Sequence, residues 1–594
     1  MAADNDQGWV EALPPEGDAG MTPQPPHPET PPRGRVMAGI VLTVVAVVAI
    51  GIAAAWRSNA SGDPMASARM MPADIDVALT VDVLQLGEGE RLERLVGSFA
   101  DPLHEAGVIA EPFDLVGAID QAMGEELDLT LSDDVLSWIG RSATVGISFG
   151  DLAAYGGFLT DPYGDFGDLG EMPGFGEMGG FADLSAAPAA RAIPAAFQPA
   201  TEPGVLVTAA VRDPAAAAAF VDKIVALTED TGVAVTPRTA AGFEGYEFVP
   251  DVGFESQLIV LTDDMLLAGP ETMVTEALGL DGGAGSLAED AGYLAALQRL
   301  PQDRMVTMFV DMGFLEEMVG DAFDMGMLPA GDLGSYALSL GVVDEGVRLD
   351  FGYAGPTEPV AAGPDKAVLD ALPSDVIAFF SARGGGSSDD LAAIDPTLQY
   401  ELDQLSAEFE AVTGVDLFDL LDSFSGSVTL AVTETREGSI ARETTIPIGV
   451  VGAVGLDDRR PTEDLLASFQ EQFGMLGVEM IDDGDLTTLR FGGSDVASLS
   501  LDDEFLVVGS GPELVGAVAN GTGEGITGSA LYRELDGLVV GDGLSVYLDV
   551  PRLAGLAPLS SDERDIVGQV RGVGGGVTID ATGSTLELMI LIDY

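Results

Sequence analysis

Residues able to carry nucleophilic or metal chemistry are scarce in this 594-residue chain. It contains no cysteine, which excludes disulfides, thiolate catalysis and Cys-ligated zinc. Its histidines are His27 and His104, so a Ser-His-Asp triad or a His-rich metal site would have to use His104 alone, because His27 belongs to the N-terminal tail. The stretch around His104 is typical of a helix end, and we interpret that histidine as a surface residue.

Two short motifs resemble functional sites, but their context argues against both. Gly174–Gly179 matches the dinucleotide pattern G-x-G-x-x-G, yet the sequence predicts no strand before it and no helix after it whose N-terminus could hold a pyrophosphate. Asp230-Thr231-Gly232 matches the core of an aspartic-protease site, which needs a second carboxylate from the other half of a duplicated fold. The alignment of the two halves places Met475 opposite Asp230. A C-terminal helix cap is therefore the plainer interpretation of Asp230.

Phosphate and metal sites are also not predicted. The only lysines, Lys223 and Lys366, lack the preceding glycine of a Walker A motif. One acidic stretch could hold calcium loosely, but its spacing does not fit an EF-hand. Its acids are Asp161, Asp165, Asp168 and Glu171. We predict no catalytic, cofactor-binding or metal-binding residues and no cofactor, with diffuse cation condensation in place of a specific calcium site.

The charge of the chain excludes one class of partner. Lys and Arg together number 25 and Asp and Glu 98, for a net charge of −73. Such a surface repels phosphate backbones and anionic lipid, so we predict no nucleic-acid partner. A saline or cation-rich setting and GC-rich codon usage both remain open as explanations. Because salt screens like-charge repulsion, we expect residues 65–594 to be stabilised by added salt.

An apolar run near the N-terminus predicts a membrane anchor. Residues 36–56 carry no charge and end at Trp56, and as a helix they would span ~31 Å, the thickness of a hydrocarbon core. We predict a cytoplasmic, disordered, Pro-rich and acidic tail (1–35), a single transmembrane helix (36–56), a linker (57–70) and extracytoplasmic domains after it. A cleaved signal peptide ending near Ala53–Ala55 remains the alternative.

After the linker, the chain contains two copies of one sequence pattern. Residues 71–357 form copy 1 and residues 372–594 form copy 2, with a linker at 358–371. The matching landmarks are Pro72 with Pro373, Gly140 with Gly426, Tyr293 with Tyr532, and Asp311 with Asp549. Two-residue periods broken by isolated helices favour antiparallel sheets. The predicted fold class is α+β: after the transmembrane helix, two tandem repeats, each with its own antiparallel sheet and helices packed on one face.

Copy 1 differs from copy 2 by an insertion at about 151–203. This segment is rich in Gly, Phe, Met and acidic residues. A long loop within a compact domain is usually either disordered or functional. We predict a disordered insertion, and the alternative is an apolar binding segment.

One family resemblance rests on two stretches, Met71-Pro72-Ala73-Asp74 and Leu136-Ser137-Trp138-Ile139-Gly140. Together they resemble domain-of-unknown-function family 3352, whose members begin with a Leu-Pro-Ala-Asp strand and carry a Trp-x-Gly landmark. Met71 replaces the usual leucine. The resemblance implies a membrane-anchored bacterial protein, and it supplies no catalytic residues because the family has no established activity.

These observations favour a membrane-anchored, extracytoplasmic protein that is not an enzyme. The leading hypothesis is a binding or scaffold protein of the cell envelope, because cysteine is missing, histidine is scarce and no pair of catalytic acids matches across the copies. One alternative is a carboxylate-dependent hydrolase of envelope polymers, and another is a carrier of lipid or another apolar ligand. The predicted partners are the membrane, through a single span, and an envelope protein or lipid.

Overall fold

The fold is that of a computed structural model. It describes residues 63–82, parts of 94–98 and 120–149, 204–230, 233–249, 256–280, 285–313, 333–357, 363–383, 396–435, 447–521, and 525–593 with short gaps. All of these residues belong to one compact unit, 46–594. The predicted tail (1–35), the apolar run 36–56, the insertion 151–203 and both histidines lie outside the described residues.

Twenty strands form the framework of the described chain. In copy 1 they are β1 (Val77–Asp82), β2 (Ile139–Ser148), β3 (Gly204–Val211), β4 (Ala234–Ala240), β5 (Phe243–Val249), β6 (Gln257–Leu261), β7 (Met265–Pro270), β8 (Val306–Asp311), β9 (Ser335–Val343) and β10 (Gly346–Ala354). In copy 2 they are β11 (Val376–Arg383), β12 (Phe424–Glu434), β13 (Ile448–Leu456), β14 (Val478–Asp483), β15 (Leu486–Phe491), β16 (Ser494–Leu501), β17 (Phe505–Gly509), β18 (Val546–Asp549), β19 (Val570–Asp580) and β20 (Gly583–Ile592).

Helices are interspersed among these strands. They are α1 (Pro214–Asp230), α2 (Glu271–Gly279), α3 (Ala291–Gln298), α4 (Lys366–Ala371), α5 (Pro396–Thr413), α6 (Leu417–Asp422), α7 (Arg460–Met475), α8 (Pro512–Ala519), α9 (Ala530–Leu538) and α10 (Val550–Leu556). Single short turns of helix form at Ala68–Met70, Leu131–Val135, Leu287–Glu289 and Ile526–Gly528.

The strands make one continuous sheet, and every pairing in it is antiparallel. Copy 1 contributes the order 4-5-6-7-3-2-1-8-9-10. Copy 2 continues from β10 in the order 20-19-18-11-12-13-17-16-15-14. The second series is the first one reversed, so the two copies share one strand order. The predicted fold class is therefore wrong in giving each copy its own sheet.

The physical reason for the merger is the unpaired edge that each copy would otherwise present. Strands β10 and β20 are the last strands of their copies, and an exposed edge carries unsatisfied backbone N–H and C=O groups. They pair with Gly346 opposite Leu591 and Gly583 opposite Ala354. Both glycines have positive φ, 153° and 150°, and a side chain at either would collide with a carbonyl oxygen of the other strand.

The predicted membrane helix is the second part of the fold class to be corrected. Residues 36–56 fall outside the described residues, so no observed helix corresponds to the prediction. Within the part of the chain that the structure describes, no helix combines the length and the apolarity needed to cross a bilayer. The supported fold class is one large antiparallel sheet with helices packed on it.

Strand register relates the landmarks of the two copies. Asp311 ends β8 and Asp549 ends β18. Val77, five residues after Pro72, pairs with Val310, and Ala378, five residues after Pro373, pairs with Leu548. Val310 and Leu548 are themselves the residues before Asp311 and Asp549, so the two prolines are equivalent. Gly140 is offset by one position. Strands β2 and β12 bulge in the same way at their starts, and the register makes Ser425, not Gly426, the residue equivalent to Gly140.

One face of the sheet, which we call the helix face, carries the main cores. Helix α3 packs on β9 and β10, and α9 packs on β19 and β20. The two helices begin alike, since Asp290 accepts a hydrogen bond from the backbone N–H of Tyr293 (2.7 Å) and Ser529 accepts one from Tyr532 (3.4 Å). Small strand residues allow this close approach, because a side chain at Gly574 would contact Leu535 of α9.

The opposite face carries a further core in copy 1. Helix α1 and the turn Leu131–Val135 cover the part of β2 and β3 that includes Ala143 and Ala209. Trp138 and Phe220 anchor this core, with ring centroids 5.3 Å apart. The rest of this face, near the junction of the two copies, is the region in which we find the candidate site.

Candidate functional site

The sequence motifs that fall within the described residues are not brought together into a site. Asp230 is the last residue of α1 and Met475 is the last residue of α7, so they occupy matching helix ends without forming an acid pair. Lys223 Nζ lies 2.9 Å from Asp134 Oδ2 in an ion pair, and Lys366 begins α4. The G-x-G-x-x-G match and the acids at 161–171 lie outside the described residues. In the described ranges no group of three acids or histidines is placed to hold a metal ion.

A row of apolar side chains crosses the junction on the face opposite the helices, which we call the open face. Met308 lies opposite Leu338, Leu338 opposite Phe351, and Phe351 opposite Leu586. Because directly opposed residues point to the same side of a sheet, these side chains form one line over four strands. Each is between 36% and 38% exposed.

Aromatic rings flank the line on the copy 1 side. The Tyr336 ring lies 5.5 Å from that of Phe351 and 4.9 Å from that of Tyr353, measured between centroids. Tyr336 and Tyr353 are opposed on β9 and β10, one pair along from Leu338 and Phe351 on the same face. Packing between neighbouring rings holds these side chains against the sheet and leaves their outer surfaces accessible.

The open face continues across copy 2. Phe380 on β11 lies opposite Leu430 on β12, and each is about half exposed. By register, Phe380 and Leu430 match Leu79 and Val145 of copy 1, and Val145 is buried. Equivalent side chains on this face are therefore less exposed in copy 1 than in copy 2.

On the helix face, the junction holds a pair of buried acids. Asp350 of β10 lies opposite Glu587 of β20, and the two residues are 2% and 4% exposed. Each is four residues after the glycine that begins its strand, Gly346 or Gly583, so they are equivalent positions of the two copies. Among the acids, the sequence landmarks aligned Asp311 with Asp549 and did not include this pair. The common spacing from the glycine is the signal that could have found it.

Hydrogen bonds and one arginine from copy 1 satisfy the acid pair. Asp350 Oδ2 accepts hydrogen bonds from Ser339 Oγ (2.9 Å) and Arg348 Nε (3.3 Å). Glu587 Oε2 accepts one from the Val540 backbone N–H (2.6 Å), and its Oε1 lies 4.0 Å from Arg348 Nε. Arg348 also forms an ion pair with Asp303. The arrangement is asymmetric, because copy 2 has Thr585 at the position of Arg348.

Burial dominates the electrostatics of this pair. It raises the pKa of Asp350 above its ordinary 3.8, although Arg348 and Ser339 oppose the shift. It likewise raises the pKa of Glu587 above 4.5, against the hydrogen bond from Val540 and in the same direction as the charge of Asp350. Neither carboxylate reaches a surface where a substrate could contact it. The pair is suited to joining the copies and not to acid–base chemistry on a ligand.

Other acids with raised pKa lie apart from one another. Burial and the charge of Asp74 raise the pKa of Glu276 in α2. Burial raises the pKa of Asp375, which precedes β11. These acids belong to different copies, Glu276 to copy 1 and Asp375 to copy 2.

Comparisons with known proteins give a family and no activity. A family model described as a protein of unknown function (DUF3352) matches residues 37–423. This match covers more than half of the chain, so the chain belongs to that family, as the resemblance at Met71–Asp74 and Leu136–Gly140 predicted. It extends through copy 1 and β11 and ends just before β12. No curated protein and no solved structure matches the chain.

Proposed function

We propose that this member of the family is a non-enzymatic binding protein whose open face holds the acyl chains of a lipid. The observation that carries the proposal is the line Met308, Leu338, Phe351 and Leu586, which is exposed, apolar and continuous across the joint between the copies. Contiguous exposed apolar surface on a folded protein marks an interaction site.

The shape of the surface favours a linear ligand. Neighbouring strands lie ~4.8 Å apart, so a row over four strands forms a narrow apolar track about 15 Å long. An extended acyl chain can follow such a track. The apolar residues next to the track enlarge it without adding charge.

The charge of the chain limits the head group. A net charge of −73 opposes the approach of anionic lipid, so the proposed ligand is a zwitterionic or neutral diacyl lipid. The non-enzymatic part of the proposal is supported by the burial of Asp350 and Glu587, the matched acid pair of the two copies. The predicted envelope location of this binding stays a prediction.

A double substitution on the track tests the proposal. The full chain would be incubated with a short-chain zwitterionic diacyl lipid, and bound lipid would be counted by native mass spectrometry. Leu338→Ser with Phe351→Ser should weaken binding by at least about tenfold, because each side chain loses on the order of 1 kcal/mol of apolar contact. The control is Phe491→Ser on β15, which changes an exposed phenylalanine away from the track.

Three outcomes would overturn the proposal. One is equal lipid binding by the double variant and the unchanged chain. Another is preference for the same lipid with an anionic head group. The third is a co-purifying protein, and no lipid, that is lost only in the double variant. Turnover of an envelope polymer that disappears on changing one carboxylate would overturn the non-enzymatic part.

A further inference from the structure

Copy 2 contains a cleft on the helix face that is separate from the open face. Helices α4 and α8 and strands β13 and β17 line an open cleft of about 260 Å³. Its lining includes the buried apolar residues Val368, Ala453, Val507 and Val518. Asp502 and the exposed Glu504, in the turn before β17, also line it. No lysine or arginine is among the described residues that line this cleft.

Backbone hydrogen bonds identify the matching place in copy 1. The Ile526 N–H donates to the Leu372 carbonyl (3.1 Å), just as the Leu287 N–H donates to the Met71 carbonyl (2.7 Å). The ends of α2 and α8 match in the same way, since Leu280 N–H donates to Ala277 and Gly521 N–H to Val518. Positions around the cleft can therefore be compared residue by residue.

Polar contacts occupy this place in copy 1. Thr208 stands at the position of Ala453, and Ser67 at that of Val368. Thr208 Oγ1 donates to the Ser67 carbonyl (3.0 Å), and Ser67 Oγ lies 2.7 Å from Thr144 Oγ1. Both Thr208 and Ser67 are fully buried. Ala453 and Val368 of copy 2 cannot form these side-chain hydrogen bonds and present apolar carbon in their place.

At three further lining positions the side chain is smaller in copy 2, whereas Val368 and Val518 are larger than their copy 1 equivalents, Ser67 and Ala277. Where copy 1 has Met70, Leu278 and Leu280, copy 2 has Ala371, Ala519 and Gly521, all of which line the cleft. Met70 and Leu278 pack against the core of copy 1. Three replacements of large by small residues around one space leave a volume that a ligand can fill, at a place where packing alone would favour larger side chains.

We propose that this cleft binds a small amphiphile with an alkyl body and a cationic ammonium head. The apolar lining receives the alkyl body and excludes water from it. Asp502 and Glu504 supply the negative charge of the lining. Asp502 Oδ1 accepts hydrogen bonds from the backbone N–H of Glu504 (2.8 Å) and Phe505 (2.7 Å), so Asp502 is held in the turn, whereas Glu504 is exposed and able to turn towards the head group. An anionic head would meet these two acids and the net charge of −73. The inference is independent of lipid binding at the open face, because ligand, face and residues all differ.

Calorimetric titration of the full chain with hexylammonium tests the inference. Hexanoate, with the same alkyl body and the opposite charge, and methylammonium, with the charge but almost no body, are the comparison ligands. We expect hexylammonium to bind with a Kd on the order of 1 mM. Each comparison ligand should bind at least about tenfold more weakly. Equal binding of methylammonium would mean simple cation condensation on an acidic surface and would overturn the cleft.

Variants that restore copy 1 residues locate the ligand. Ala519→Leu and Ala371→Met each fill the cleft and should lower the affinity for hexylammonium at least tenfold. Glu504→Gln removes a head-group contact without changing the packing and should lower it about threefold to tenfold. Glu513→Gln, an exposed acid of α8 outside the cleft lining, is the matched control and should have no effect.

Each result decides the question. Unchanged affinity in a filled variant that keeps its melting temperature would overturn the site. If either filled variant fails to fold, Glu504→Gln against Glu513→Gln still separates a bound head group from a diffuse acidic surface, and equal affinities in that pair would overturn the proposal.

Discussion

Copies 1 and 2 share a backbone arrangement and differ in what fills it. Tyr293 and Phe309 of copy 1 meet edge to face, with ring centroids 5.0 Å apart. At the same positions copy 2 has Tyr532 and Tyr547, and it adds Phe379, which stacks on Tyr547 at 5.5 Å. Copy 1 has Ala78 at the position of Phe379. The comparison shows that strand pairing and helix starts are common to both copies, whereas different sets of core side chains are compatible with the same fold.

Hydroxyl groups fill much of the corresponding region in copy 1. Thr144 Oγ1 lies 2.7 Å from Ser67 Oγ and 3.0 Å from Thr80 Oγ1. Copy 2 keeps one such contact, between Ser381 Oγ and Thr429 Oγ1 (2.7 Å). Copy 1 therefore holds its interior with more directional polar bonds, and copy 2 relies more on aromatic packing and leaves a cleft.

The largest expected effect is the loss of the aromatic centre of copy 2. Phe379→Ala should lower the free energy of unfolding by about 4 kcal/mol, because a buried ring is deleted beside two tyrosines that cannot close the gap. Phe380→Ala, the neighbouring and half-exposed phenylalanine, is the control and should cost about 1 kcal/mol or less. Chemical denaturation measures both values. Equal costs would show that Phe379 does not organise this core.

The next effect concerns the asymmetric junction. Arg348→Met should lower the free energy of unfolding at pH 7 by about 3 kcal/mol, because Asp350 and Glu587 would remain buried without their cation. Thr585→Met changes the equivalent position of copy 2 and should cost less, since it strands no buried charge. Denaturation curves for the two variants give the comparison, and a smaller loss for Arg348→Met than for Thr585→Met would contradict this role.

A smaller difference in stability is expected between the hydroxyl networks of the two copies. Thr144→Val should lower the free energy of unfolding by about 2 kcal/mol, because the buried hydroxyl of Ser67 and the partly buried hydroxyl of Thr80 both lose a partner, whereas Thr429→Val should cost about 1 kcal/mol. Both variants preserve side-chain shape, so packing is matched between them. If thermal denaturation gives equal losses, the extra bond of copy 1 contributes nothing to stability.

The smallest effect is a pH dependence at the junction. An acid whose pKa is raised on folding penalises the folded state only when it is charged, so stability is lost as pH rises from the ordinary 3.8 of Asp350 through its higher folded pKa. Asp350→Asn removes this loss. The variant should therefore gain stability relative to the unchanged chain between about pH 3 and about pH 7. The free energies of unfolding of both chains, measured over this pH range, check the expectation, and parallel pH curves would contradict it.

Local signals made part of this fold predictable from the sequence. Pro72 and Pro373 precede strands, and Asp311 ends one. Tyr293 and Tyr532 lie in the first turns of helices. Each of these positions can be recognised from the few residues next to it in the sequence. The Gly140 alignment was displaced by one residue because it matched glycine with glycine, whereas the strand register makes Ile139 equivalent to Phe424 and Gly140 equivalent to Ser425.

The sites depended on long-range information. Strand β10 pairs with β20, which lies more than two hundred residues later in the chain. The hydropathy pattern of β10 does not predict this partner. The open face was hidden because β9 places the large residues Tyr336 and Leu338 outward and the small Ala337 and Ser339 towards α3, the reverse of the usual pattern. The cleft becomes visible only when copy 2 is compared with copy 1.

The central joint has a consequence for how the chain is made. Strand β10 leaves the ribosome long before β20, and residues 355–582 must be synthesised in between. At ~5–20 residues per second, this interval lasts on the order of tens of seconds. During it, β10 is an open edge whose nearest substitute partner is another β10 on a neighbouring nascent chain, since its pairing with β20 is nearly symmetric about Asp350 and Glu587. The strand that joins the two copies in the finished molecule is thus exposed to mispairing while the chain is being synthesised.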